Sequence, residues 1–588
     1  MQLQRNIAEI YLKHGRWIVE SEPADRAGQN GAPVPATLFR NGLLYLGAGR
    51  VARGSLLVVD DRIAEVTLDP EDTGAAASAG PGTAPPPGAR VIDIGAGTLL
   101  PGFQDAHAHP VLAGTHLLAI DLTPVHDRSA YLDLVAAAAA ADPDATTLTG
   151  GGWFGDVFDG GFPRATELDE AVTDRPVILS SHDAHGVWVN SAALRAAGID
   201  ASTPDPDGGR ILRDADGTPS GTLLEAAVGL VAGLIPPPTP ELLPRALAAA
   251  QRRLHAVGVT AWQDAAVGES DLGPDVLPAY EALDASGELT ASVRLALWWD
   301  RGRGLEQIDD FLATRDRLAG SERLDAGAVK VMVDGMVENH TAGMLAPLGG
   351  TDDDRGITFI APDDLARLTT ALDAAGFQVH FHACGDAAVR SCLDAVQAAV
   401  AANGPLGNRH HIAHLDVVAP EDVPRFAALD VTANVTGLWA RTDEEIVTRK
   451  LPLLGPERER QHFPFGSLHR AGARIVGGSD WPVTDPNPLW SVATAVTRTG
   501  VAADPHAIGE EVFRTPLLAE EALPLGVALD AYLSEAARIN GREHVSGRLE
   551  EGAVADLVLL DADVSSVDAV ADAGVRLTMV GGRVVHEG

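Results

Sequence analysis

The chain has 588 residues, 46% of them hydrophobic and 21% charged, which suits a globular protein with one large core and attachments. Its 82 acidic residues against 44 basic ones give a formal charge of −38. Such a surface repels nucleic acid and anionic membranes and excludes both as expected partners.

Two cysteines, Cys384 and Cys392, make no disulfide framework. The N-terminus shows no basic segment followed by an apolar stretch, so no export signal is expected. The longest apolar runs, such as Leu134 to Ala141, fall far short of the roughly 20 residues a bilayer span needs. A cytoplasmic enzyme is the expected class.

Along the chain, residues 1–36 carry no clear period and read as a poorly ordered extension. Short strands are expected at Thr37–Phe39, Gly42–Tyr45, Ser55–Val59 and Arg62–Val66, followed by a Gly/Ala/Pro-rich loop between 70 and 90. The tail after about 545 resumes a β pattern in ADLVLLDAD and VRLTMVGGRVVHEG. Both ends, residues 37–98 and 545–588, therefore read as one composite β-sandwich domain.

The middle, residues 99–544, alternates apolar strand-like runs with Ala/Leu/Arg-rich helical segments. Eight strands are expected, at Leu99–His107, Gly258–Asp264, Val293–Trp299, Ala328–Asp334, Phe377–His382, His410–Leu415, Asp430–Thr436 and Ala473–Asp480. Helices are expected at Pro240–Val257, Pro362–Ala375 and Asp386–Ala401. Eight strands with helical connections predict an α/β fold, the (β/α)₈ TIM barrel. The long interval after the first strand predicts an ordered insertion over about residues 120–240, a wall for a substrate pocket.

The chemistry gathers at the ends of those strands. His107-Ala-His109 follows an apolar run, and residues two apart on a strand share a face, so both imidazoles can hold one ion. The motif alone is weak, because His380-Phe-His382 repeats it. Its place at the C-terminal end of the first barrel strand gives it force. Lys330 is one of three lysines, with Lys13 and Lys450, and stands inside the apolar strand GAVKVMVDG, where a charge is costly. Unlike arginine, a buried lysine can lose its proton. A neutral amine could take up CO₂ to form a carbamate, an oxygen ligand able to bridge two ions. The alternative is a lysine paired with Asp334.

His382 and His414 close consecutive strands, which favours ligation over isolated structural roles. Here His380 should share the inward face one layer lower, and His410 and His411 are competitors. Asp480 ends the last strand in ARIVGGSDWPV, where a buried carboxylate needs a partner such as a metal; a turn or helix N-cap is the bland alternative. Gly477 and Gly478 leave room beside it. Cys384 lacks metal-type cysteine spacing and reads as a small buried residue. Trp153, His185, Trp188, His340 and Trp439 are weak candidates for an apolar, aromatic substrate pocket, whereas Trp298 and Trp299 read as core.

With H-x-H on strand one, lysine on strand four, histidines on strands five and six and aspartate on strand eight, the chain resembles the amidohydrolase superfamily. It is most similar to the amidohydrolase 3 branch, with N-substituted formamide deformylase-like proteins. The matching stretches are PGFQDAHAH, PVILSSHDAHGVWVNSAALRAAGI, GTLLEAA, GVTAWQDA, VKVMVDG, HFHACGD, GGSDWPV and SGRLEEGAVADLVLLD, from about residue 37 to the end.

The resemblance implies one or two divalent ions, Zn²⁺ foremost, held by His107, His109, Lys330, His382, His414 and Asp480. It implies hydrolysis of a non-peptide C–N bond in a small amide by activated water, with Asp480 moving the proton. A homodimer is one assembly it allows. Two departures stand out: Ala413 precedes His414 where relatives carry an acidic residue, and MVENHTAGML replaces a small, Arg-containing segment. A deaminase or cyclic-amide hydrolase, and a catalytically silent assembly protein, are the rival readings.

Overall fold

The computed structural model describes residues 36–69, 85–182, 185–235, 241–270 and 273–588. The expected N-terminal extension and most of the Gly/Ala/Pro-rich loop lie outside the described residues.

Eight parallel strands form the central sheet: Phe103–Ala108, Val259–Val267, Ser292–Trp298, Leu324–Met332, Gln378–Ala383, His411–His414, Thr432–Val435 and Ile475–Gly477, in chain order around the barrel. First and last strands meet just beyond their ends, where the Asp480 N–H donates to the His107 carbonyl (2.8 Å) and the His109 N–H to the Trp481 carbonyl (2.7 Å). The seam that closes the barrel thus runs through three residues of the candidate site.

The helices between the strands have the periodicity of one buried face. In Leu242–Ala256 the buried side chains include Ala246, Leu247, Ala250 and Leu254, spaced three and four apart. The helix Pro110–Leu117 approaches this one so closely that a Cβ on Gly114 would lie 2.0 Å from the Ala246 carbonyl oxygen. Asp386–Asn403 buries Ala388, Val389, Cys392, Leu393, Val396 and Ala399, so Cys392 serves as a small apolar side chain.

One expected strand divides in two. Residues Leu99 to His107 do not run on as a unit: Thr98–Pro101 pairs with Leu557–Leu560 in a separate sheet, and the barrel strand begins at Phe103. Proline at 101 gives no N–H to a ladder, and Gly102 lies where a Cβ would come within 2.3 Å of the Thr260 side chain. The chain changes sheets at that Pro-Gly step. Similarly, Thr37–Phe39 and Gly42–Tyr45 are one strand, Thr37–Tyr45, with a register shift between Phe39 and Gly42.

Both chain ends build one eight-stranded sheet. Its path runs Arg583–Glu587, Val575–Val580, Leu557–Leu560, Thr98–Pro101, Thr37–Tyr45, Val51–Val59 and Arg62–Leu68, with Arg90–Asp93 also pairing with Thr37–Tyr45. Its own core joins Phe39, Leu44, Leu56 and Leu99 to Leu557, Leu559, Leu577 and Met579. The segment after the first barrel strand carries a six-stranded sheet, from Ile120–Asp121 to Pro219–Glu225, over a separate core of Tyr131, Trp153, Phe158, Leu179 and Trp188. Among the described residues no helix is long and apolar enough to cross a membrane.

Candidate metal centre

At the C-terminal ends of the barrel strands, six buried side chains converge: His107 from strand one, His109 just beyond it, Lys330 from strand four, His382 from strand five, His414 from strand six and Asp480 beyond strand eight. One Asp480 oxygen lies 3.1 Å from His107 Nε2 and 3.2 Å from His109 Nε2, and the other 3.7 Å from His414 Nδ1. Lys330 Nζ is 3.3 Å from His107 Nε2. The rings of His382 and His414 are 4.3 Å apart, and those of His107 and His414 4.9 Å. These groups line a cavity of about 460 Å³ with His185, Met336 and Trp439.

His414 and Asp480 both hold left-handed backbone angles, φ +79° and +57°. Such angles are uncommon for residues with a Cβ and gather at sites where function overrides local preference.

Burial pushes the His107 imidazole down to about 3, helped by the Lys330 ammonium, and drives His382 and His414 well below their ordinary values. The rings are therefore neutral, with lone pairs to offer. Burial alone would raise the Asp480 carboxyl, but the imidazoles of His107, His109 and His414 outweigh it and hold it well below the usual carboxylate range. Lys330 is pushed down to about 8, chiefly by burial.

The cup fits a cation. Both ring nitrogens of His414 and Nδ1 of His109 are buried without a hydrogen-bond partner, a costly state that an ion relieves. His107, His109 and Asp480 offer nitrogen and oxygen atoms within one ion's reach of each other.

The layer beneath holds these ligands in place. His380 Nε2 is 3.0 Å from His107 Nδ1. His382 Nδ1 lies 3.3 Å from Asp334 Oδ1, and Asp334 also accepts the N–H groups of Gly343, Cys384 and Gly385. Asp334, His382 and Cys384 lie close enough together to suggest a second ion site. The Asp334 oxygens are already occupied, however, and burial pushes the Cys384 thiol far up, keeping it protonated. Asp334, so held, orients His382.

A family model described as the amidohydrolase family matches residues 90–586. The chain belongs to the amidohydrolase family. Among the relatives of this amidohydrolase, Protein LONG AFTER FAR-RED 3 of Arabidopsis thaliana is 31% identical over 508 residues, covering 85% of this chain and 84% of that protein. The N-substituted formamide deformylase of Arthrobacter pascens is 28% identical over 532 residues, covering 87% of this chain and 90% of the relative. Among solved structures, an uncharacterized metal-dependent hydrolase from Pyrococcus horikoshii OT3 shares the fold with a TM-score of 0.67 at 22% identity, over 91% of this chain and 99% of that one.

Within this amidohydrolase the pairing of Lys330 with Asp334 does not occur. Asp334 spends its oxygens on His382 and the three backbone amides, and among the described residues no carboxylate lies within ion-pair reach of the Lys330 ammonium. Of the aromatic candidates, Trp439 stacks on His414 at 5.4 Å, and His185 lies 5.9 Å from His382 while pairing with Glu225. Trp153 and Trp188 face away from the ligands. Their indole N–H groups donate to the carbonyls of Leu179 and Arg164, and their rings fill the core of the insertion. His340 turns outward to Asp354. Trp298 and Trp299 are buried, as expected of core.

Sequence reasoning missed Asp334 as the partner of His382, and also Met336 and Glu338. The signal for Asp334 was present: an aspartate in the apolar stretch VKVMVDG must find several donors.

Proposed function

We propose that this amidohydrolase is a metal-dependent hydrolase of a non-peptide, amide-type C–N bond in a small molecule. The observation carrying this reading is the Asp480 carboxylate seated among three imidazoles beside His414, whose two ring nitrogens lack partners. His107, His109, His382 and His414 would hold one or two divalent ions, with Zn²⁺ the best match to this nitrogen and oxygen donor set. Lys330, as its carbamate, would supply a bridging oxygen. When bound, such an ion polarises a carbonyl and lowers the pKa of water to near 7.

The chain's own residues do the rest. Asp480, kept ionised by its neighbours, accepts the proton of the attacking water and delivers it to the leaving nitrogen. Trp439 and Met336 give the cup an apolar wall. We place the protein in the cytoplasm.

The test measures metal content by elemental analysis, then turnover on an amide panel that separates amine from ammonia release. Asp480→Asn should abolish turnover while leaving much of the metal bound. Near-normal kcat in that variant rejects the proton-transfer role, and ammonia release points instead to a deaminase.

A further inference from the structure

A second cavity of about 550 Å³ adjoins the metal cup and shares Met336, Trp439 and Val483 with it, so the two lie side by side. Its lining differs from the apolar, aromatic pocket expected from sequence. Four carboxyl side chains, Asp156, Glu338, Asp443 and Glu445, face two cations, Arg441 and Lys450.

Each cation is already held by one carboxylate of the wall and one behind it. Lys450 Nζ lies 2.6 Å from Asp416 Oδ2 and 3.5 Å from Glu338 Oε2. Arg441 is bound by Asp504 and by Asp443. Each cation therefore has two carboxylates, leaving negative charge in excess.

Two buried carboxylate oxygens in this wall accept no hydrogen bond: Asp156 Oδ1, and Glu338 Oε2, which makes only the long 3.5 Å ion pair with Lys450. Their side chains are 8% and 5% exposed. Buried polar atoms in native proteins are hydrogen-bonded, so acceptors lining a cavity with no hydrogen bond mark where a donor docks. The other Asp156 oxygen meets His126 Nε2 at 2.9 Å. His126 Nδ1 in turn faces His506 Nδ1 at 2.9 Å, while His506 Nε2 lies 2.8 Å from the Thr123 carbonyl. His506 must donate to that carbonyl through Nε2, so its Nδ1 accepts from His126. The Asp156–His126 pair then holds one shared proton and leaves Oδ1 open. Burial pushes Glu445 up to about 8. Even with Glu445 neutral and its partner Arg449 counted, five carboxyls (Asp156, Glu338, Asp416, Asp443, Asp504) stand against the four cations Arg441, Arg449, Lys450 and His126.

We propose that this pocket is a substrate subsite for a positively charged nitrogen group, an amidinium, guanidinium or ammonium, received by Asp156 Oδ1 and Glu338 Oε2. The assignment rests on the hydrolase reading and deepens it: the amide cleaved at the metal cup carries a cationic group a few bonds away. Glu338 and Met336 come from MVENHTAGML, the segment that departs from the family pattern, and Asp156 comes from the insertion.

The test is calorimetric titration of the metal-loaded full-length protein with benzamidinium and with benzamide, its neutral isostere. Benzamidinium should bind at least tenfold more tightly. Glu338→Gln and Asp156→Asn should each erase most of that preference while benzamide binding persists. Equal binding of the two probes by the unaltered protein overturns the proposal without recourse to any variant. A preference that survives both substitutions in folded protein overturns it as well. If benzamidinium is preferred but no amide is turned over, the hydrolase reading fails and the subsite stands.

Discussion

His380 Nε2 lies 3.0 Å from His107 Nδ1, one layer below the cup, with both imidazoles buried. For His107 Nε2 to offer its lone pair upward, Nδ1 must carry the proton, and His380 accepts it. His380→Ala removes that acceptor and frees the His107 ring to rotate. Metal affinity should fall about 10- to 100-fold, with His380→Gln recovering part of it. Titration with a competing chelator measures the change. Equal affinity in all three proteins would show that His107 is oriented by something else.

Lys330→Ala should lose both metal and activity, and bicarbonate or a short carboxylate should restore part of each. Lys330→Arg should not rescue, because guanidinium stays protonated and cannot form a carbamate. Carbon-13 NMR of protein equilibrated with labelled bicarbonate should show one carbamate carbon that disappears in Lys330→Ala. Unchanged metal content in the alanine variant would make Lys330 a structural residue.

Gly478 sits where an added Cβ would lie 2.6 Å from both Asn434 Oδ1 and His107 Cβ. Gly478→Ala must therefore push the eighth-strand end away from the first strand, shifting Asp480 against His107 and His109. Overpacking of this kind costs about 1–3 kcal/mol of stability, and a shift near 1 Å in reacting groups costs about 100-fold in rate. Thermal melts and kcat together check both numbers; a variant matching the parent in both would show that the seam can relax.

His255 is buried far from the metal cup, bonded to the Val259 carbonyl and Thr290 Oγ1, and burial pushes it down to about 4. Its folded value lies below its ordinary 6.5, so the unfolded chain binds more protons between the two. The stabilisation is complete above pH 6.5 and is lost as pH falls toward 4. The full shift corresponds to about 3 kcal/mol. In metal-free protein, the stability difference between parent and His255→Gln should shrink on acidification from pH 7 to 4.5. A constant difference over that range would mean the imidazole titrates normally.

Much of the barrel was legible because its signals are local. Lys330 inside GAVKVMVDG and histidines ending GFQVHFHA and RHHIAH are read from a handful of neighbours, and strand alternation places His380 beneath His382. The break at Pro101-Gly102 was harder, since both halves are apolar and only the partner strand, more than 450 residues away, tells them apart. Trp153 and Trp188 misled for a related reason: an indole looks the same in sequence whether it faces a ligand or the insertion's own core. The grouping of Lys450 with Asp416, Glu338 and Trp439 depends wholly on how separate segments meet above the barrel.

The strand Thr98–Pro101 is tied on one side to Leu43 and Leu44 and on the other to Leu557–Leu560, and it passes directly into the strand that bears His107 and leads to His109. Ribosomal synthesis delivers its C-terminal neighbour last. The metal cup therefore cannot assume its final shape before Leu557–Leu560 have been made, even though all eight barrel strands precede them in the chain. Closing a loop of that length raises the entropic barrier only logarithmically, but it makes assembly of the cup one of the latest events in the life of the newly made protein.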